Sequence, residues 1–453
     1  KPVHWCIESE SALAEAEVEY QDVVSDAVDV LFKLSKQDNF LKAFKIENKK
    51  DIFFVIWTTT PWTLPANQAI AIGDNIQYVL ADIGNQSIII AKDLIESLSE
   101  KLDFKDIKIV QSFHGKDLLG LKAEHPFYKK EVPIINADHV TTENGTGLVH
   151  IAPGHGQDDY IAGLKNNLEV FNPVNDKGVF IDSLEIFGGM HVRKANAPII
   201  EELIKNNKLL CHQKYSHSYP HCWRFKTPLI FRATPQWFIS MSQNRLRKNI
   251  LNTLKDVNWV PDWGHERIKN MIENRPDWCV SRQRFWGVPI PLFIHKDTNE
   301  LHEQTELILE KAAKIIEKGN IEAWFEYDKK ELLGKDRDNY RLVTDTLDVW
   351  FDSGISHISV MQQRGLGDIA DLYLEGSDQH RGWFQSSLIT ALATTSKPPY
   401  KTVLTHGFVV DADGQKMSKS QGNVIAPQSI IKDKGSDILR LWVANTDYTK
   451  EMN

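Results

Sequence analysis

The chain has 453 residues, 42% of them apolar and 25% charged, with a formal net charge of -8. This length makes about three domains the soft expectation. The composition is that of an ordinary globular protein and excludes a low-complexity or collagen-like chain. The negative balance leaves any nucleic-acid contact to local basic patches, such as Arg224, Lys226 and Arg232, or Arg245, Arg247 and Lys248, or Arg282 and Arg284. Four cysteines (Cys6, Cys211, Cys222 and Cys279), none in a Cys-x-x-Cys pair, point to a reducing compartment. No apolar run reaches the length of a membrane span and no signal peptide is visible, so a cytoplasmic location without membrane contact is expected.

Along the chain, residues 1–17 read as a connecting segment. From 18 to 213 short β-rich runs dominate: Ile52–Trp57, Tyr78–Asp82, Ser87–Ala91, Val132–Asn136 and Gly147–Ile151. Gly, Asn and Pro separate them, and a helix is predicted over Pro198–Asn206; the pattern is that of a compact, mostly antiparallel β domain. Residues 214–280 are rich in Pro and Trp and read as a hinge, with helical periodicity over Arg245–Val257 and Glu266–Glu273. From 281 to 435 apolar strands alternate with helices: Val288–Ile294, a charged helical insert near 303–318, Leu372–Leu374, a helix over Trp383–Thr394, and the run Thr402–Val410. That alternation predicts a parallel α/β sheet. Residues 436–453 begin another helical region, over Asp437–Ala444.

Several short strings carry chemistry. Lys416-Met417-Ser418-Lys419-Ser420 follows a tight Asp413-Gly414 turn, and two lysines three apart can grip a polyphosphate and neutralise charge on a leaving pyrophosphate. Taken alone, a lysine-rich turn is a solvated loop. Glu375-Gly376-Ser377-Asp378-Gln379-His380 lies between an apolar strand and a helix, at the carboxyl edge where α/β sheets bind ligands. Thr58, Thr59, Thr60 and Asn67 follow a hydrophobic strand, and His150 and Asp159 flank a Pro-Gly-His-Gly turn. The bland alternatives are β-strand threonines and a helix cap at Asp158-Asp159.

Taken in order, these strings resemble the isoleucine branch of the class I aminoacyl-tRNA synthetases. The matching stretches are Thr58 through Asn67, Gly145 through Tyr160, Trp278 through Pro291, Asp348 through Gly354, Glu375 through Phe384, and the lysine loop, which together span nearly the whole chain. The family's His-Ile-Gly-His-type tetrapeptide is absent. The resemblance therefore implies a central fragment: an inserted β-rich editing domain at 18–213, the second half of a Rossmann-like α/β catalytic domain at 281–435, and the start of a helical anticodon-binding region at 436–453.

That resemblance implies ATP-dependent ligation of isoleucine to its tRNA, with hydrolytic editing of valyl-tRNA. Of the two, editing is the activity expected from the fragment itself. Lys416 and Lys419 are the expected phosphate residues. Glu375, Gly376, Asp378, Gln379 and Lys419 would hold ATP or the adenylate, and Trp350 and Trp383 would wall the isoleucine pocket. An apolar wall separates isoleucine from valine by only about 1–3 kcal/mol, a limit long illustrated with this very enzyme family, so a second, smaller site is required. Thr58, Thr59, Thr60, Asn67, His150 and Asp159 would form it, with Asp159 on the substrate ammonium, His150 narrowing the pocket, and Thr60 and Asn67 holding the terminal adenosine or the water. His155 is a weaker candidate.

Mg²⁺ would arrive with ATP. No zinc is expected, because the two knuckles read Cys6-Ile7-Glu8-Ser9 and Cys222-Trp223-Arg224-Phe225, each one cysteine short. The implied partners are tRNA, isoleucine, ATP and valyl-tRNA, and a monomer is expected. The alternatives are a valine-type synthetase and a non-catalytic tRNA-binding module.

Overall fold

The computed structural model describes residues 1–104, 107–418 and 422–452. The chain divides into two compact units, Lys1–Leu13 with Glu17–Gln236, and Ala14–Ala16 with Trp237–Asn453. The break after Gln236 falls inside the stretch read as a hinge.

The first unit is built on a six-stranded sheet in the order Leu209–Cys222, Val18–Lys33, Ile52–Thr58, Gln86–Ala91, Gln77–Ile83, Lys108–His114. Only the pairing of Ile52–Thr58 with Gln86–Ala91 is parallel. Ile88, Ile89 and Ile90 are each fully buried although they alternate faces, so the sheet is covered on both sides. Each such burial contributes about 1.5–3 kcal/mol against the entropy of ordering. A second, four-stranded sheet has the order Val149–Ile151, Ala69–Ile72, Glu131–Asn136, Lys122–Glu124. The helix expected from Pro198 begins at Val192 and runs to Lys205, with His191 capping it through Arg193 N–H. Val192, Ala195, Ile199, Ile200 and Leu203 form its buried stripe, which holds the helix together through the proline.

The second unit holds a three-stranded, wholly parallel sheet in the order Asn258–Val260, Tyr400–His406, Ala370–Gly376. The alternation in the sequence thus yields the expected α/β core, but one strand comes from the stretch read as a hinge. Val288–Ile294 is not a strand. Pro289 and Pro291 cannot donate to a ladder; the strand is reduced to Phe293–His295, with an isolated antiparallel bridge from Pro289 to Thr346. The helix Trp383–Thr394 is nearly all buried and packs among Trp259, Tyr373, Tyr400 and Val403. The helical insert spans Thr305–Glu326, with a break at Gly319 and Asn320.

A buried ion pair fastens the Trp278–Pro291 string to the Asp348–Gly354 string. Arg282 and Asp348 meet at 2.8 Å with both side chains fully buried. Asp348 also accepts from Trp278 Nε1 at 2.9 Å and from Trp350 N–H at 3.2 Å. Arg282 donates further to the Cys279 and Ser281 carbonyls. Removing one partner strands a buried charge, which costs about 3–5 kcal/mol. Arg282→Leu is therefore expected to lower the unfolding free energy of the second unit by that amount, read as a fall in the denaturant midpoint; an unchanged midpoint would show that the pair is not needed.

Candidate active sites

In the first unit the threonine string ends one strand and opens a 3₁₀ helix, Pro61–Ala66. Proline at its first position suits the fixed φ of the ring. The helical turn brings Thr63 back over Thr60, and Thr63 Oγ1 donates to the Thr60 carbonyl at 2.9 Å. Thr58 and Thr60 hydroxyls lie 3.3 Å apart, and Thr60 N–H donates to Thr58 Oγ1.

His150 sits in the neighbouring sheet opposite Ile70. Its Nε2 is 2.9 Å from Thr63 Oγ1 and its Nδ1 is 3.4 Å from Asn67 Nδ2. An amide nitrogen only donates, so Nδ1 accepts and Nε2 carries the proton. Burial pushes the His150 imidazole down to about 4, and the neighbouring His155 adds to the shift. His150 is a neutral ring held at both nitrogens. Thr58, Thr60, Thr63, His150 and Asn67 thus form one continuous hydrogen-bonded chain. Asn67 Oδ1 is a buried acceptor with no hydrogen-bond partner. Thr59 and Thr60 are partly exposed.

Asp159 lies in the first turn of the helix Gln157–Lys165. Its Oδ2 accepts from Ala152 N–H at 2.8 Å, directly beyond the strand that carries His150. The carboxyl folds back so closely that a Cβ on Gly156 would meet Asp159 Cγ at 2.9 Å. Burial, with Asp158 beside it, raises this carboxyl to about 7. His155 donates from Nδ1 to the Phe231 carbonyl at 2.9 Å, and its ring meets Trp62 edge-on.

Three supports escape the sequence reading. Thr63, the partner of His150, lies inside the quoted threonine string, and the i+3 spacing from Thr60 is the signal that could have found it. Lys130 donates to the Asn67 carbonyl at 2.5 Å. Asn196 accepts from Trp62 N–H at 3.1 Å. Lys130 and Asn196 are distant in sequence and carry no local signature.

In the second unit Glu375 and Gly376 end a parallel strand at its carboxyl edge. Glu375 is exposed, and its Oε2 accepts from Gly376 N–H at 3.2 Å. Gln379 Oε1 accepts from Trp383 N–H at 3.1 Å and so caps the following helix. Lys416 Nζ lies 3.7 Å from Asp378 Oδ2 and 3.7 Å above the centre of the Phe408 ring. Glu375, Asp378 and Lys416 therefore gather at one end of the sheet. Lys419 lies outside the described residues.

Trp350 lines a narrow cleft with Arg275, Asp348 and Gln385. A Cβ on Gly382 would meet the Trp350 ring at 2.8 Å, so only glycine allows that approach. Trp383 is not part of this lining. It stacks on Tyr373 at 3.9 Å and donates from Nε1 to Ser353 O and Ser356 Oγ.

Among the described residues no group of three or more His, Cys, Asp or Glu side chains comes together as a metal site. Cys6 and Cys222 share one buried cluster, while Glu8 is bound by Arg193 and Thr227. No helix of the described residues is long and apolar enough to cross a membrane.

The chain belongs to the class I aminoacyl-tRNA synthetases: the family described as "tRNA synthetases class I (I, L, M and V)" matches residues 1–453. Within that class its curated relatives include proteins named Isoleucine-tRNA ligase. That of Vesicomyosocius okutanii is 55% identical over 453 residues, which is 100% of this chain and 47% of the relative. The Vibrio campbellii protein is 54% identical over 461 residues, 100% of this chain and 49% of the relative. The chain spans about half the length of the curated relatives it matches. The crystal structure of the P. falciparum cytosolic leucyl-tRNA synthetase editing domain covers 43% of this chain and 100% of its own, with 14% identity and a TM-score of 0.35.

Asparagine at 159 can keep the bond to Ala152 N–H without ever ionising. A carboxyl raised to about 7 in the fold contributes stability that is complete below the ordinary carboxylate range and is lost as pH rises through about 7. Asp159→Asn is thus expected to raise the thermal midpoint relative to the parent at pH 8, with the gain shrinking towards pH 4. Parallel midpoints across that range would contradict the buried carboxyl.

Proposed function

We propose that this chain works within an ATP-dependent isoleucine-tRNA ligase, and that its first unit hydrolyses the ester of valine wrongly joined to tRNA. The observation that carries the reading is the hydrogen-bonded chain from Thr58 to Asn67 through a neutral His150, with the Asp159 carboxyl tied to the end of the same strand. An ester at the 3′ end of tRNA needs an anchored ammonium, a placed water and a pocket of limited size. The ionised Asp159 carboxylate anchors the ammonium, and the bound cation itself favours ionisation. His150 cannot serve as a general base, because both ring nitrogens are engaged; it is a wall. The unpartnered Asn67 Oδ1 is an acceptor for the attacking water, and the exposed parts of Thr59 and Thr60 meet the terminal ribose. A pocket of this kind admits valine and excludes isoleucine, which supplies the discrimination that an apolar synthetic pocket lacks.

In the second unit, Glu375, Asp378 and Gln379 sit where an α/β sheet binds a nucleotide. Lys416 is placed to neutralise phosphate charge as pyrophosphate leaves, with Lys419 as its proposed companion. Trp350 forms one wall of the isoleucine pocket and the Trp383–Tyr373 stack the other. ATP supplies the phosphorus that isoleucine attacks, and Mg²⁺ accompanies it as part of the substrate.

Valyl-tRNA hydrolysis by the chain tests the deacylase reading. After subtraction of the uncatalysed rate, kcat/KM is expected to rise with pH through about 7 and then level off as Asp159 ionises in the free protein. Asp159→Ala is expected to lower kcat/KM by roughly 30- to 5,000-fold, the range for losing one partner of a buried charge pair. Parent-like hydrolysis by that variant refutes the anchoring role.

A further inference from the structure

We propose that the exposed turn Trp223-Arg224-Phe225-Lys226 docks the single-stranded 3′ segment of the RNA substrate, an inference that rests on the reading of the first unit as an aminoacyl-tRNA deacylase. The turn follows the strand Leu209–Cys222. Trp223 is 43% exposed and Phe225 48%, although both are large enough to belong in a core. Arg224 and Lys226 are exposed between and beside them. Among the described residues Arg224 has no ion-pair or hydrogen-bond partner, and neither ring stacks on another.

The exposure is not a fraying end. Cys222 N–H donates to Thr227 O and Lys226 N–H to Cys222 O, each at 2.8 Å, and Trp223 N–H donates to Glu17 O at 3.1 Å. Lys226 takes the left-handed conformation, at φ 56°, that closes the turn. Cys6 and Cys222 pack beneath with Leu13, Val18 and Leu229. Thr227 Oγ1 donates to Glu8 at 2.7 Å, and Arg193 neutralises that carboxylate at 2.6 Å. Where related knuckles would be closed by metal, this one is closed by hydrogen bonds and sulfur packing. Glu19, at 2.5 Å from Lys226 Nζ, is the acid facing the turn, and the pair is exposed.

Charge decides which partner fits. An apolar protein surface laid on the two rings would bury Arg224 without an acid to match it, which is unfavourable. A single-stranded nucleic acid offers a base face to each ring and a phosphate to each cation. Interleaved aromatic and cationic residues on a rigid turn match that repeat, and the acidic remainder of the chain does not dilute it, because recognition is local.

The test uses the whole chain and a short fluorescent RNA ending in CCA, titrated by anisotropy at low and high salt. The double variant Trp223→Ala with Phe225→Ala is expected to bind at least tenfold more weakly, since each lost stacking partner lowers affinity about 5- to 150-fold. Arg224→Glu is expected to weaken binding and flatten its salt dependence. Ile204→Ser, an exposed apolar position elsewhere in the same unit, should change neither. Hydrolysis of valyl-adenosine, which lacks the rest of the single-stranded segment, should keep its kcat/KM in all three variants. Unchanged RNA affinity and salt slope in the turn variants would overturn the proposal. So would a lowered melting midpoint of the RNA-free double variant, because the rings would then be covering protein. If the parent fails to hydrolyse valyl-adenosine, the deacylase reading falls, while the titrations still decide the turn.

Discussion

The Nε2–H of His150 points at Thr63 Oγ1 while its Nδ1 accepts from Asn67, and these two bonds let a histidine sit buried in a sheet with its pKa held near 4. Without both partners the ring would either leave a polar nitrogen unsatisfied, at about 1–3 kcal/mol, or ionise and move towards water. The ring's fixed position orders the threonine turn on one side and Asn67 on the other. Asn67 is secured in turn by Lys130 on its carbonyl, and the turn by Asn196 on Trp62. The role proposed for this ring, a wall that discriminates by size, requires that it not yield, and both ring nitrogens are engaged.

The same logic runs differently in the second unit. There a charged pair, Arg282 with Asp348, is withdrawn from water and surrounded by donors and carbonyls. Asp348 starts the short helix that carries Trp350, and its other oxygen holds Trp278. Asp352, one turn further on, is raised to about 6 by burial and by the negative charge of Asp348. The pair thus fixes the position of an aromatic wall. Gly382, where no side chain would fit against the Trp350 ring, fixes it from the opposite side.

Much of this was legible in the residues, for identifiable reasons. Ile52–Thr58 and Gln86–Ala91 are short apolar runs bounded by turn residues, and Trp383–Thr394 is a long apolar helix, so local pattern and tertiary fate agree there; the long strands Val18–Lys33 and Leu209–Cys222 carry many polar residues and escape the pattern. Where they disagree, one residue type pulled the reading. Proline favours a first-turn position, which draws the expected helix start to Pro198; packing of Val192 and Ala195 carries the real helix through it. Pro289 and Pro291 look like part of an apolar strand until the missing donors are counted. Asn258–Val260 is too short to stand out as a strand, and only its parallel partner Tyr400–His406 makes it one. The site strings themselves were legible as strings, but the contacts that lock them, Thr63 to His150 and Lys130 to Asn67, join residues far apart in the chain. Hydrophobic periodicity carries no record of such pairs.

The central claim is that the clamped imidazole of His150 is a size limit and not a proton carrier. The most direct measurement is the ratio of hydrolysis rates for valyl-tRNA and isoleucyl-tRNA, on the parent chain and on His150→Ala. If the claim holds, the parent strongly prefers the valyl ester, and the variant loses that preference by gaining isoleucyl-tRNA hydrolysis while keeping most of its valyl rate. A variant that loses valyl hydrolysis outright, with no gain on the isoleucyl ester, would contradict it.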